Sequence, residues 1–449
     1  MMLNARLGRP ATSAIALLAA AALFATGCGG LTPDSLAYAT NEAEPTIIRL
    51  ATPRIAGLEE AIAGWEREHP TAEVDVVVRN IDDHHRSLLE AGGAGSQFDV
   101  VAFDATFGPE VRAKPELFID LRELDAAAIE YMYLPARWAE GIGPGGEIIG
   151  LPIDVDSTAL IVRTDLVEEA IIDRLERATS WCELIQAGDD FSDATNIAFL
   201  ADGDDLLVAI LSQTRTTFVD AEGALRAQDE AELQRAWDLV MLTIGEGPLH
   251  GDPCPEATDM QRISRNFAFD DSLWRDSLGG GDFAAVLTPW SLRRRVENAA
   301  PETAGAWTAI GLPVDSPTAN AGTSSSGGLH FGLAANSENL DLAHDLLITI
   351  ANPIVQRVTF ANGLGPLPAA ASPHRDDTVS SSDDDFFANA RLGAVYRGAA
   401  IDRPSALAEP QRRIVIEEML VALNQVENGG QTPAEAWADA LERIKTRVD

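Results

Sequence analysis

The hydrophobic pattern after residue 45 predicts alternating strands and helices. Thr46 to Ala51 is a short β-rich run, and Glu73 to Val78 and Asp99 to Phe103 are two more. Between the first two runs, apolar residues recur at the helical spacing i, i+3, i+4, i+7, at Leu58, Ala61, Ile62 and Trp65. Such alternation favours a parallel α/β sheet, in which ligands bind at the carboxyl ends of strands. The loops Thr52 to Gly57 and Asp104 to Gly108 are therefore candidate cleft walls.

Helical patterns dominate from Asp165 to Ile244. Near the carboxyl terminus, Thr432 and Glu435 have the spacing of a capping box, with Pro433 at the first helical position. An apolar stripe follows, spaced 4, 3, 4, at Trp437, Leu441, Ile444 and Val448. The length after the amino-terminal region predicts two or three domains.

The amino terminus predicts export. Arg6 and Arg9 precede an apolar run, Ala11 to Ala25, which at about 15 residues is too short for a mature membrane span. Ala25-Thr26-Gly27-Cys28 resembles a lipobox, although Leu is usual at the first position. We therefore predict a signal peptide at 1–27, a lipid on Cys28, and a flexible tether at 28–45. The alternative is an ordinary secretory signal that ends near a cysteine.

The chain is strongly acidic. It has 33 Lys and Arg residues against 70 Asp and Glu residues, a formal net charge of −37. Residues 1–27 contain two arginines and no acids, so removing them leaves 31 basic and 70 acidic residues, a net charge of −39. Such a chain repels nucleic acid and anionic membrane surfaces, so neither is expected as a partner. The acidity and the scarcity of lysine indicate adaptation to high salt, or alternatively a GC-rich genome that favours Arg and Ala codons, with acidity for solubility.

Two cysteines follow Cys28, and both suit an oxidising compartment. Cys182 and Cys254 could form a disulfide, or they could be two independent buried thiols.

Several segments, taken in order, carry a family resemblance. They are Trp65 to Pro70, Gly150 to Ser157 with Leu160 to Leu166, Ser180 to Leu184, Gly279 to Val286 with Thr288 to Trp290, Gly365 to Pro368, and Gly430 to Ala436. Together they resemble family 1 extracellular solute-binding proteins, the group that includes maltose-binding protein. The resemblance extends over nearly all of residues 46–449.

This resemblance implies an α/β fold: a two-lobed periplasmic-binding-protein type II clamp with interleaved lobes. By the family's pattern, lobe 1 is 46–154 plus 332–368, and lobe 2 is 155–331 plus 369–449. The chain is expected to cross between lobes near 154–159, 331–335 and 366–370. Such a clamp closes on its ligand by a hinge motion.

The resemblance also indicates residues that could bind a sugar, through polar groups for hydroxyls and an aromatic face for the ring. Trp290 matches the family's stacking tryptophan, and Asp156 lies where the family often places a carboxylate for hydroxyls. The competing interpretations are a core tryptophan and a hinge cap. Gly328 would allow close approach of the backbone to the ligand, or would only form a turn.

The predicted strands and cleft loops add four residues. Phe103 and Asp104 end the third strand, where Asp104 could bind ligand or cap a helix. Asp154 lies two residues before Asp156, on the same face of an extended segment. Arg54, in the first cleft loop, suits an anionic group. Leu329 stands where many relatives have an aromatic residue, which favours a small polar ligand over a long oligosaccharide.

We predict an ABC-importer substrate-binding lipoprotein at the outer face of the cytoplasmic membrane. Its expected partners are a small solute, a sugar or polyol, and the permease subunits. We expect a monomer without enzymatic activity, cofactor or metal. The alternatives are a surface sensor or adhesin that uses the same clamp, and an exported carbohydrate-active enzyme with paired carboxylates.

Overall fold

The computed structural model describes most of the chain from residue 44 onward. The described residues are 44–90, 97–213, 217–226, 229–255, 260–266, 272–314, 327–363, 365–382, 384–387, 392–401 and 410–448. The predicted signal peptide, Cys28 and the tether up to residue 43 lie outside these ranges. Within the described part, no helix is both long and apolar enough to cross a membrane.

Five strands form the first sheet. In chain order they are β1 (Thr46–Pro53), β2 (Ala72–Arg79), β3 (Val100–Asp104), β4 (Leu151–Pro152) and β9 (Leu329–Leu333). Their order across the sheet is β2-β1-β3-β9-β4. β1 runs parallel to β2 and β3, whereas β9 runs antiparallel to β3 and β4. The strands predicted from the hydrophobic runs are confirmed, each to within two residues at either end.

Four strands form the second sheet. They are β5 (Thr158–Arg163), β6 (Ala198–Leu200), β7 (Phe283–Pro289) and β8 (Trp307–Ile310), in the order β6-β7-β5-β8. β5 is fully buried and pairs antiparallel with β7 and β8. The antiparallel pairs in both sheets depart from the purely parallel arrangement that the sequence pattern favoured.

Helices surround the two sheets. They are α1 (Leu58–Glu68), α2 (Ile81–Glu90), α3 (Gly108–Arg112), α4 (Pro135–Glu140), α5 (Glu169–Arg177), α6 (Trp181–Thr195), α7 (Asp204–Ser212), α8 (Glu230–Thr243), α9 (Ser272–Gly280), α10 (Arg293–Ala299), α11 (Leu340–Ala351), α12 (Pro353–Ala361), α13 (Ser372–Arg375), α14 (Asp377–Ser380), α15 (Leu392–Ile401), α16 (Gln411–Glu427) and α17 (Pro433–Val448). Short 3₁₀ helices occupy Pro115–Leu117, Leu121–Leu124, Ala126–Met132, Trp290–Leu292 and Pro301–Thr303.

The local sequence signals explain where several helices lie. α1 buries Leu58, Ile62 and Trp65, the face that the periodicity predicted. The capping box before α17 is confirmed, because Thr432 Oγ1 accepts from the Glu435 amide while the Glu435 carboxylate accepts from the Thr432 amide. α17 then packs Trp437 and Ile444 into the core beside the second sheet.

The segments predicted to cross between lobes lie side by side. The Val155 amide donates to the Leu367 carbonyl at 2.9 Å, and the Asp156 amide donates to the Gly327 carbonyl at 3.3 Å. The predicted second crossing at 331–335 is misplaced, since Leu329–Leu333 already pairs with β3 as β9. Ala369 and Ala371 likewise hydrogen bond to 132–134. Both lobe boundaries, at 331/332 and at 368/369, therefore cut through hydrogen-bonded segments of the first lobe.

The two predicted cysteines form a disulfide. Cys182 on α6 is bonded to Cys254, and their Cα atoms are 5.4 Å apart. Both residues pack in the large core beside the second sheet. Of the two interpretations that the sequence left open, the disulfide is the one observed.

Candidate functional site

A cavity of about 420 Å³ lies where the ends of the two sheets meet. Its volume is within the roughly 300–1,000 Å³ that is typical of small-molecule sites. Residues after β1 and the last residue of β3 line it from the first sheet, and residues after β7 line it from the second. Six of the seven predicted ligand residues line this cavity: Arg54, Asp104, Asp154, Asp156, Trp290 and Gly328.

Asp104, at the end of β3, accepts hydrogen bonds from two backbone segments beside the cavity. Its Oδ1 accepts hydrogen bonds from the Thr106 amide at 2.8 Å and the Thr106 hydroxyl at 2.6 Å. Its Oδ2 accepts from the Gly328 amide at 3.0 Å. Asp104 is therefore largely engaged in holding the turn after β3 against the Gly327-Gly328 segment.

Gly328 occupies a position that only glycine fills without strain. Its φ is +124°, and a Cβ there would lie 2.9 Å from the Asp154 carbonyl oxygen. This close approach lets the segment pass between Asp104 and Asp154 into β9.

Asp154, at the start of the first predicted crossing between the lobes, is a buried carboxylate that is 7% exposed. Its Oδ1 accepts from the Leu329 amide at 2.5 Å, and its carbonyl accepts from Arg137 Nε at 2.8 Å. Burial raises the pKa of Asp154 to about 7, although the nearby Arg137 opposes the shift. Near neutral pH, this side chain is therefore divided between its charged and neutral forms.

Asp156 fastens the loop that follows β7. Its two carboxylate oxygens accept from the Ser291 amide at 3.0 Å and the Ser291 hydroxyl at 2.6 Å. The Trp290 amide also donates to the Ser157 carbonyl at 3.0 Å. These bonds favour the structural interpretation of Asp156, since they join the crossing segment to the Trp290 loop.

Trp290 does not present the open ring face that the sequence predicted. Its side chain is 4% exposed and belongs to the core around the second sheet. The Arg293 guanidinium covers the ring with its central carbon 3.7 Å from the ring centre, and Tyr396 and Phe360 pack against the ring as well. Only a small part of the indole can therefore contact a ligand in this conformation.

Phe103 is a core residue and does not line the cavity. It is fully buried and stacks on His330, with ring centres 5.0 Å apart. Successive side chains in a strand point to opposite faces, so Phe103 and its neighbour Asp104 cannot share one surface. The structure therefore places Phe103 in the core, away from the cavity to which the sequence assigned it.

Sequence reasoning missed a run of three arginines at the cavity. Arg293, Arg294 and Arg295 follow the 3₁₀ turn after β7, and all three line the cavity. The signal was present, because this run lies shortly after the end of a strand, where ligands bind in α/β sheets.

Comparison with known proteins assigns the family. Residues 60–388 match the model of a family described as bacterial extracellular solute-binding protein. The chain belongs to this family. No curated protein sequence matches the chain significantly.

Solved structures show that this solute-binding protein has the expected fold. A family 1 extracellular solute-binding protein superposes with a TM-score of 0.77 at 20% identity, covering 90% of this chain and 100% of the other. The sugar-binding protein MalE from Xanthomonas citri gives 0.70 at 19% identity, with 90% and 97% covered. A galacto-N-biose/lacto-N-biose I-binding protein from Bifidobacterium longum gives 0.62 at 15%, with 89% and 96% covered. The predicted two-lobed α/β clamp is confirmed.

Charge is unevenly distributed in the cavity of this solute-binding protein. The carboxylates of Asp104, Asp154 and Asp156 all accept hydrogen bonds from the protein itself. In contrast, Arg54 is exposed and makes no hydrogen bond or ion pair with a residue that the structure describes. Arg294 is also exposed and donates to the Gly363 carbonyl at 2.9 Å. The accessible charge in the cavity is therefore mainly positive.

Proposed function

We propose that the protein is the substrate-binding lipoprotein of an ABC importer, which captures a small polar solute, a sugar or polyol, and delivers it to a permease. One observation carries this proposal. Six residues singled out from the sequence, spread from Arg54 to Gly328, line one cavity of about 420 Å³ in a chain of this family. Relatives with the same fold support a sugar, since MalE from Xanthomonas citri is a sugar-binding protein.

Closure of the clamp would couple binding to delivery. The cavity is lined from both sheets, and the segments near Val155, Gly327 and Leu367 lie side by side through backbone hydrogen bonds. A ligand that contacts both sides favours the closed state by the difference between its affinities for the two states. The permease would then recognise the closed form.

Thermal unfolding with a panel of sugars and polyols tests the proposal. A ligand at about 100 times its Kd stabilises the folded state by about 2.7 kcal/mol, so at least one panel member should raise the Tm. Titration should then give one molecule per chain. The proposal would be overturned if no solute raised the Tm while a chromogenic glycoside was hydrolysed.

The lipid anchor at Cys28 is part of the proposal. It is supported by Arg6, Arg9 and the apolar run before Ala25-Thr26-Gly27-Cys28. Cells expressing the chain should incorporate labelled palmitate into it, and the Cys28→Ala variant should not. Equal incorporation by both would contradict the anchor, while Cys182→Ala serves as the matched cysteine control.

A further inference from the structure

We infer that the solute carries an anionic group, a carboxylate or a phosphate, which binds between Arg54 on one wall of the cavity and Arg294 on the other. This inference rests on the proposed function, and it narrows the ligand from polar sugars in general to acidic ones. Arg54 follows β1 in the first sheet, and Arg294 follows β7 in the second.

The first argument is the placement of cations. Four arginines line this cavity, Arg54 and the run Arg293 to Arg295, in a chain with 33 basic residues among 449. Arg54 and Arg294 have no carboxylate at ion-pair distance in the part of the chain that the structure describes. In a protein of net charge −37, exposed guanidinium groups could easily have found acidic partners. Their lack of one inside a ligand-sized cavity leaves their charge available to a ligand.

The second argument is the engagement of the acids. Asp104 accepts three hydrogen bonds from Thr106 and Gly328, and Asp156 accepts two from Ser291. These bonds occupy most of the acceptor capacity of Asp104 and about half of that of Asp156, so both carboxylates have less capacity left for sugar hydroxyls. The arginines that line the cavity are donors, which require acceptors.

The third argument is an unsatisfied donor within the arginine run. Arg293 Nε is buried and has no hydrogen-bond acceptor among the described residues, and its nearest carboxylate oxygen, Asp384 Oδ2, is 3.9 Å away. Arg293 also lines the cavity. A guanidinium binds a carboxylate or a phosphate with two parallel hydrogen bonds, a geometry that a neutral hydroxyl cannot match.

The position of Arg54 and Arg294 on opposite walls of the cavity links anion binding to closure of the clamp. An anion between Arg54 and Arg294 would neutralise two like charges that otherwise repel each other as the cavity narrows. Acidic ligands should therefore favour the closed clamp, and neutral sugars should not to the same extent. A strongly acidic protein also repels anions at long range, which makes a local cluster of arginines necessary for their capture.

Titration calorimetry on the mature chain tests the inference with matched pairs. The pairs are galactose with galacturonate, and glucose with glucose 6-phosphate, so that the two acids distinguish a carboxylate site from a phosphate site. An acid should bind about tenfold or more tightly than its neutral parent, because hydrogen bonds to charged groups are stronger. The difference should shrink at high salt.

Single arginine variants test whether Arg54 and Arg294 bind the acidic group. Arg54→Gln and Arg294→Gln should each weaken acid binding by about tenfold, and each should weaken binding of the neutral parent by a smaller factor. Arg177→Gln is the charge-matched control, since Arg177 is exposed on α5 and pairs with Asp173. Unchanged Tm and circular dichroism would confirm that the variants are folded.

The outcomes separate the two proposals. Equal or tighter binding of the neutral parents, or acid binding that both arginine variants leave undiminished, would overturn the inference and leave the proposed function standing. If neither the acids nor the neutral parents bind, and no member of the thermal panel does, the proposed function fails as well.

Discussion

The guanidinium of Arg293 lies over the indole ring of Trp290, with 3.7 Å between its central carbon and the ring centre. This cation–π contact is buried, because Trp290 is 4% exposed and Arg293 7% exposed. The side chain expected to stack on a sugar therefore stacks on an arginine. Trp290 therefore packs against the first residue of the arginine run, and that run lines the cavity.

Replacing Trp290 should destabilise the fold. Trp290→Ala should lower the free energy of unfolding by about 3–5 kcal/mol, since a buried tryptophan leaves a large cavity. Trp290→Phe should cost less, because a smaller ring still packs against Tyr396 and Phe360. Urea unfolding followed by circular dichroism measures both. A Trp290→Ala protein of unchanged stability that had lost ligand affinity would instead indicate an open stacking platform.

Asp156 and Ser291 should behave as a coupled pair. Asp156→Ala removes the acceptor for both the Ser291 amide and its hydroxyl, whereas Ser291→Ala removes only the hydroxyl bond. Each lost hydrogen bond should cost about 0.5–1.5 kcal/mol, and the double variant should cost less than the sum of the two. A double-mutant cycle from urea unfolding measures the coupling. Strict additivity would show that the two side chains act independently.

Asp154 should make stability depend on pH. Burial raises its pKa from 3.8 to about 7. Between these two pH values the carboxyl group is protonated in the folded state and deprotonated in the unfolded state. The stabilising contribution is therefore fully present below pH 3.8 and is lost as pH rises through 7. The loss is on the order of 1 kcal/mol per pH unit within this window.

The variant Asp154→Asn isolates this contribution. Asn keeps an acceptor for the Leu329 amide but does not titrate, so its unfolding free energy should fall less than that of the wild type between pH 4 and 7. The comparison is needed because burial also raises the pKa values of Asp205 and Glu427 to about 7. Asp75→Asn, an exposed change on β2, is the control. Identical pH profiles for wild type and Asp154→Asn would contradict the assignment.

The disulfide should stabilise the second lobe without affecting the cavity. Cys182 and Cys254 are 72 residues apart, and removing a native disulfide typically costs about 2–5 kcal/mol. The double variant Cys182→Ser/Cys254→Ser should therefore unfold at lower temperature. Its ligand affinity should stay within about threefold of the wild type, since the bond lies in a different core cluster from Trp290. A parallel loss of affinity would place the disulfide in the binding mechanism.

The sequence predicted those parts of the fold that depend on local patterns. The first strands, the buried face of α1 and the capping box at Thr432 all follow from residues within a few positions of one another. The cavity residues after β1 and β3 were found because the ends of strands in α/β sheets collect ligands.

The errors concern contacts between residues that are distant in the sequence. Phe360 and Tyr396 cover Trp290 from 70 and 106 positions away, so no local pattern reveals that its ring is buried. The lobe boundary predicted at 331/332 divides β9. This strand is defined by its pairing with β3, in which Leu329 lies opposite Asp104, and these residues are far apart in the sequence. The arginine run could have been predicted, because only the short 3₁₀ turn Trp290–Leu292 separates it from the strand that ends at Pro289.

A crystal structure of the protein grown with the solute that gives the largest thermal shift tests the central claim most directly. The account predicts density for one solute molecule in the cavity between Asp104 and Trp290, with anionic oxygens within hydrogen-bond distance of Arg54 and Arg294. Density for the bound solute at any other place, with this cavity filled by water alone, would contradict it.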